Sequence, residues 1–218
     1  MRSERVVVVG GGVGGLVTAA LLAHRGLEVV LLERAPAIGG KMRQVHPGGR
    51  AVDAGPTVLT MRWVFEEIFA ALGTTLDTHV ALAPAELLAR HAWEGSGGAP
   101  QRLDLFADLD RSADVIGDFA GPREAAGYRR FCEHARRIYA TVEQPFLRSE
   151  RPTLGSTLSV ARGLGVTGLL GIDGHRTLWK SLGEFFRDPR LRQLFGRYAT
   201  YCGSSPFLAP ATLNVIAH

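Results

Sequence analysis

The chain has 218 residues, 46% of them hydrophobic and 21% charged, which is globular composition rather than that of a disordered or fibrous chain. Its formal charge of +4 comes almost wholly from scattered arginine, with Lys41 and Lys180 the only lysines, so nothing forms the basic block that nucleic-acid binding needs. Two cysteines, Cys132 and Cys202, make no disulfide framework and are expected to be inert buried thiols, and the seven histidines show no metal spacing. H-E-x-x-H, G-x-S-x-G and P-loop patterns are absent, which removes the common hydrolase and NTPase readings.

The stretch VVVVGGGVGGLVTAALLAHRG, residues 6–26, admits three readings: secretion signal, membrane span, or the opening of a nucleotide-binding domain. Glycines at 10, 11, 12, 14 and 15 count against a membrane helix, since each costs up to about 1 kcal/mol relative to alanine. No convincing cleavage site follows for a secretion signal. The run divides instead into a strand at Val6–Val9, of the kind buried on both faces of a parallel sheet, a glycine turn, and a helix from Leu16 to Arg25 closed by Gly26. Gly10, Gly12 and Gly15 fill G-x-G-x-x-G: a tight turn, a close approach to a pyrophosphate, and close helix–strand packing. Gly14 lies within the same turn, where the free N–H groups of a helix start await an anion.

A second apolar strand, LEVVLLER, ends in Glu33, 23 positions after Gly10, where an acid accepts hydrogen bonds from a ribose and repels a 2′-phosphate. Gly39, Gly40 and Lys41 follow. A glycine pair lets backbone approach an anion and the ammonium adds a point charge. This resembles the second glycine motif of the flavoprotein family that includes amine oxidases and carotenoid desaturases, in which the basic residue is more often arginine. The resemblance implies FAD rather than NAD as cofactor.

The third signature, AVDAGPTVLTMRWVFEEIFAALG, sets Asp53, Gly55, Pro56 and Thr57 before an amphipathic helix with Phe65, Ile68, Phe69 and Leu72 on one face, Thr60 as its expected N-cap and Gly73 at its end. It is similar to the D-x-G-P-T-x-x-T-M stretch of the carotenoid (phytoene-type) desaturases, which implies that Gly55, Pro56 and Thr57 belong to the cofactor site. Asp53 is then the one polar candidate beside the flavin ring; its alternative is an ordinary turn carboxylate.

After residue 75 the character changes. Residues 86–93 and 102–107 predict a hairpin, Pro122 opens a helix, and Tyr128, Phe131, Ala135, Ile138 and Val142 form its apolar stripe. Arg129, Arg130, Glu133, Arg136 and Arg137 take the other side, a solvated face or, as the alternative, a membrane-facing one. Residues 154–172 are apolar and rich in glycine, either a loop packed on the core or, as the family resemblance implies, part of the isoprenoid- and membrane-contacting region. Asp188 and Pro189 read as N-cap and first turn of a further helix.

The run FGRYATYCGSSP looks more like the hydroxy- and methoxyneurosporene desaturases of phototrophic bacteria than like enzymes acting on phytoene. That resemblance implies a 1-hydroxycarotenoid substrate, with Tyr198, Tyr201, Ser204 and Ser205 as candidate partners for its polar end and Pro206 and Phe207 along a polyene path; local backbone capping and core packing are the alternatives. The expected fold is α/β: a Rossmann-like FAD-binding domain over residues 1–75 and an inserted α+β substrate domain over 76–218. Family members are considerably longer, so the sheet is expected to need further strands, and the 218 residues alone to be inactive and aggregation-prone. The resemblance further implies a cytoplasmic enzyme held peripherally on the inner or intracytoplasmic membrane, with no metal and no nucleic-acid partner. The rivals are phytoene desaturation, a flavin oxidase acting on polar amines, and a fragment that binds FAD without catalysis.

Overall fold

The computed structural model describes residues 5–56, 58–95, 98–148 and 171–218. These form two units, residues 1–83 and 84–218. The predicted segment 154–172 lies outside the described residues except for its last two positions.

In the first unit, β1 (Arg5–Val9) and β2 (Glu28–Leu32) pair in parallel, with Val7 opposite Val30. Helix α1 (Val13–His24) makes the crossover and packs across both strands. It begins three residues earlier than its apolar periodicity suggests, because Gly12 serves as the extended N-cap residue and Leu16 N–H already donates to the Gly12 carbonyl (2.9 Å). Gly26 takes the expected left-handed backbone after the last turn (φ +86°). The valines are not buried on both faces as their run predicts: burial alternates along β1, and Val7 and Val9 remain 53% and 82% exposed. A two-stranded sheet with one crossover helix covers one face only.

A short antiparallel pair, β3 (Gln44–Val45) and β4 (Val52–Asp53), leads to α2 (Arg62–Ala71) and the single turn α3 (Leu76–His79). Phe65, Ile68, Phe69 and Leu72 are half-buried together as predicted. Thr60 is not the N-cap. That place falls to Met61, in the left-handed region (φ 53°, ψ 51°) with no side-chain capping bond.

The second unit begins with the predicted hairpin, β5 (Leu87–Trp93) against β6 (Gln101–Phe106). Helix α4 (Leu109–Ala120) follows, capped by Asp108, whose carboxylate accepts from Arg111 N–H (2.6 Å). The anticipated long helix is α5 (Pro122–Val142), with Phe131, Ala135, Ile138 and Val142 buried. Phe131 is the centre of the core: its ring meets those of Phe185, Phe186 and Phe195 at centroid distances of 4.8–5.6 Å. These come from α6 (Leu178–Phe185), the residue after it, and α7 (Pro189–Gly196), the last capped by Asp188 through Arg190 N–H (2.8 Å), as predicted. Gly127 lets α5 and α6 touch, since a Cβ there would overlap the Phe185 carbonyl. Two 3-10 segments, Arg197–Cys202 and Ala211–Ala217, complete the unit. Of the two thiols, Cys132 is half-buried but Cys202 is exposed, contrary to expectation, because its 3-10 turn runs along the surface.

One buried ionic cluster ties these helices together. Asp173, 2% exposed, accepts from Arg176 Nε (2.5 Å), Arg176 Nη2 (2.9 Å), Ser181 Oγ (2.9 Å) and His134 Nε2 (3.2 Å). Glu184 shares Arg176, His175 lies 4.0 Å from Asp173, and Asn214 donates to Ser181 Oγ (2.9 Å). Burial by itself raises the Asp173 pKa, but the bonds from Arg176 and Ser181 outweigh it and hold the carboxyl below its ordinary value. Desolvation pushes His134 down despite the facing carboxylate, with Arg137 and Arg176 adding to the shift.

Both shifts favour the folded state at neutral pH and lose that advantage on acidification. The His134 contribution fades below its ordinary value of 6.5, and that of Asp173 as pH falls from 3.8 through the lower folded value. Chemical denaturation should therefore show stability falling once the pH drops below that histidine value. Asp173→Asn should cost about 3 kcal/mol at neutral pH, because it leaves Arg176 without its buried partner. That difference should narrow in strong acid, where the wild-type carboxylate is itself protonated.

Candidate functional site: a glycine-built dinucleotide cradle

The candidate site in the first unit is made where three stretches of backbone come closer than side chains allow. Gly10 (φ +102°) turns the chain out of β1 while its N–H still donates to Leu32 O (2.7 Å). Gly15 lies so near this turn that a Cβ there would overlap the Gly10 carbonyl oxygen. The α1 start is thereby pressed against the strand end, and the N–H groups of its first turn have no acceptor within the helix. Around Gly14 no atom lies within 4 Å of where a Cβ would stand, so the helix start is open on that side.

Gly11, between them, is buried and held through both of its backbone polar groups. Its N–H donates to Glu33 Oε2 (2.6 Å), and its carbonyl accepts from Gly39 N–H (2.8 Å). The other oxygen, Glu33 Oε1, accepts from Ala35 N–H (2.7 Å). The Ala35 bond is the larger cause, and the Gly11 bond the next, of a Glu33 pKa below the ordinary carboxylate value. Each oxygen retains a further lone pair for a hydroxyl donor. Gly12 bridges to Gly39 in parallel fashion, and a Cβ on Gly40 would stand 3.0 Å from Gly12 Cα. The second glycine motif is thus docked on the first.

The third motif is docked on the second. A Cβ on Gly55 would overlap the Lys41 carbonyl oxygen, Ala54 N–H donates to Arg43 O (2.8 Å), and Gln44 Nε2 donates to Asp53 Oδ1 (3.0 Å). Gly40, Lys41, Arg43, Ala54, Gly55 and Pro56 line one open cavity of about 320 Å³. Nine of the predicted cofactor residues, Gly10, Gly12, Gly14, Gly15, Gly39, Gly40, Lys41, Gly55 and Pro56, therefore lie on these three interlocked stretches, and Glu33, just past β2, is tied to the first of them through Gly11 N–H; Thr57 lies outside the described residues. Asp53 is exposed on the neighbouring hairpin. Arg43 adds a second cation that sequence reading passed over, although the alternation in KMR sets it two positions from Lys41. Gly11 was missed as well, because its role depends on a contact 22 residues away.

The candidate substrate residues sit in the second unit. Tyr198 packs its ring on Phe195 and Tyr201, and desolvation pushes its pKa up to about 12. Tyr201 is 61% exposed. Ser204 is exposed, while Ser205 Oγ accepts from Phe207 N–H (3.3 Å), a local turn bond.

A family model described as an NAD(P)-binding Rossmann-like domain matches residues 8–72, the stretch that carries the cradle. Along 217 residues the chain is 55% identical to a hydroxyneurosporene desaturase of Rubrivivax gelatinosus, and along 213 it is 47% identical to that of Cereibacter sphaeroides. A phytoene dehydrogenase of Streptomyces griseus is 35% identical over 218 residues. Along essentially its whole length, the chain is similar in sequence to these carotenoid desaturases. The matches cover 97–100% of this chain but 41–42% of those relatives, so it spans about two-fifths of their length.

Solved structures resemble the chain at the level of fold. A putrescine oxidase aligns with TM-score 0.52 at 18% identity, covering 98% of this chain and 41% of its own. A Rab GDI from Plasmodium falciparum aligns with TM-score 0.54 at 14% identity, covering 99% and 49%. The fold of the first unit is the expected Rossmann-like α/β arrangement.

The close contacts separate two neighbouring glycines. Gly15→Ala should destabilise the protein by more than about 2 kcal/mol, because backbone must move to admit the methyl group. Gly14→Ala, in open space one residue away within α1, should be neutral or stabilising by up to about 1 kcal/mol. Denaturant titration of the two variants reads the difference directly.

Proposed function

We propose that this chain is the cofactor-binding and part of the substrate-binding portion of an FAD-dependent desaturase that acts on an acyclic carotenoid hydroxylated near one end. The observation that carries the cofactor reading is the double engagement of Glu33. Its carboxylate is fixed by Gly11 and Ala35, with lone pairs left for ribose hydroxyls, and its charge disfavours a 2′-phosphate. The cradle fits the rest of the group: the open start of α1 suits the diphosphate, and Lys41 and Arg43 supply positive charge on the cavity side.

When bound, FAD supplies the hydride-accepting chemistry that converts a C–C bond beside a polyene into C=C. The work left to the protein is to bind, orient and exclude water. Gly10, Gly12 and Gly15 bring backbone to the diphosphate, and the Gly55–Pro56–Thr57 loop is assigned to the flavin side. Asp53 is the polar residue proposed beside the ring. The assignment of a hydroxylated substrate follows the 55% and 47% identities to hydroxyneurosporene desaturases, against 35% to a phytoene dehydrogenase. Tyr198, Tyr201, Ser204 and Ser205 are the proposed partners of the hydroxyl, since burying one unpartnered costs about 1–3 kcal/mol. A carotenoid dissolves in lipid, so the enzyme is proposed to work peripherally on a membrane; no helix among the described residues is long and apolar enough to cross one.

Two measurements on the full-length enzyme test this reading. Glu33→Ala should lower FAD affinity about tenfold or more, by loss of charge-assisted bonds, and unchanged flavin occupancy would remove the cofactor assignment. Membranes carrying a 1-hydroxycarotenoid should show a red shift of the polyene absorption that membranes carrying phytoene do not. Conversion of phytoene alone would overturn the substrate while leaving the cofactor untouched.

A further inference from the structure

In the second unit, the turn Ser205–Leu208 carries two large apolar side chains into solvent: Phe207 is 59% and Leu208 81% exposed. This is a fixed turn. Leu208 N–H (3.0 Å) and Ala209 N–H (2.8 Å) both donate to the Ser205 carbonyl. The start of α6 grips the turn from both sides, with Leu178 N–H donating to Ala209 O (2.8 Å) and Trp179 N–H to Pro206 O (2.9 Å). Its neighbours are aromatic and cationic. The Trp179 ring lies 4.9 Å from that of Phe207, and the Arg192 guanidinium stacks on the other ring system of this pair, 4.4 Å from the Trp179 centroid.

The charge around it is one-sided. Residues 177–208 hold five cations and two carboxylates, and both carboxylates are taken, Glu184 by Arg176 and Asp188 by Arg190. Lys180, next to Trp179, is exposed, and Arg192 has a buried Nε with no acceptor among the described residues. Rigidly presented apolar side chains, a half-buried tryptophan and cations without counter-charges are what a protein offers to the headgroup layer of a bilayer. An apolar patch meeting a protein partner would not by itself call for the uncompensated cations.

We infer that the Ser205–Leu208 turn, with Trp179, Lys180 and Arg192, docks on an anionic lipid surface, Phe207 and Leu208 entering the interfacial layer and the two cations meeting phosphate groups. This deepens the proposed peripheral reading by naming the contact, and it rests on that reading. It also gives Phe207 a place in lipid instead of along an internal polyene path.

The test is co-sedimentation of the full-length, flavin-loaded protein with vesicles of phosphatidylcholine alone and of phosphatidylcholine mixed with phosphatidylglycerol, at low and high salt. Wild type should bind the mixed vesicles in a salt-sensitive way. The Phe207→Ser/Leu208→Ser variant should bind about tenfold more weakly, with flavin content, oligomeric state and far-UV circular dichroism unchanged. Lys180→Gln/Arg192→Gln should lose the preference for the anionic vesicles, and Phe207→Trp/Leu208→Met should keep binding. Equal binding by the serine variant, or a wild type that ignores anionic vesicles, overturns the inference. So does a serine variant that loses flavin or changes oligomeric state, since the turn would then be covered by protein. Flavin content, read in the same samples, separates a failure of docking from a failure of the cofactor assignment.

Discussion

Three close backbone approaches set the geometry of the first unit: Gly15 on Gly10 and Gly55 on Lys41, where a Cβ would overlap a carbonyl oxygen, and Gly40 on Gly12, where it would stand 3.0 Å from a Cα. Each is a steric condition before it is a binding property. Together they make a turn, a helix start and two loops into one object, so the cradle is formed by the chain's own packing. The Gly11 peptide shows how tightly the object is specified, with its N–H given to Glu33 and its carbonyl taken by Gly39. A carboxylate that already holds the loop is fixed in place by the chain's own backbone before any ligand arrives.

The second unit follows another logic. Its centre is aromatic: Phe131 on α5 is surrounded by Phe185, Phe186 and Phe195. Beside this apolar cluster, the Asp173 network places a fully satisfied carboxylate where α5, α6 and the last 3-10 segment converge. Such a network is costly to disrupt and fixes the register in which these segments pack.

The local grammar of the chain was readable without coordinates wherever it depends on neighbours in sequence. Gly26, Pro122 and Asp188 punctuate helices as their chemistry requires, and the G-x-G-x-x-G spacing locates the turn between β1 and α1. What escaped depends on distance along the chain or on burial. The valines of β1 read as doubly buried because composition cannot count the layers over a sheet. Thr60 lost the cap to Met61, whose left-handed backbone its residue type does not announce. Helix α4 was passed over although Asp108 marks its start, and Arg43 became visible only when the Gly55 loop closed over Lys41.

The β5–β6 hairpin is anchored to α7 by two side-chain bonds, Trp93 Nε1 to Gln193 Oε1 (2.8 Å) across 100 residues and Arg190 to Gln101 across 89. During synthesis at about 5–20 residues per second, the hairpin leaves the ribosome roughly 5–20 s before these partners exist. Leu103 and Leu105, which end up buried against the later helices, must be carried through that interval without their cover. A nascent chain in this state presents an apolar strand surface to whatever is near, so that interval is when the unit is most open to association with other chains.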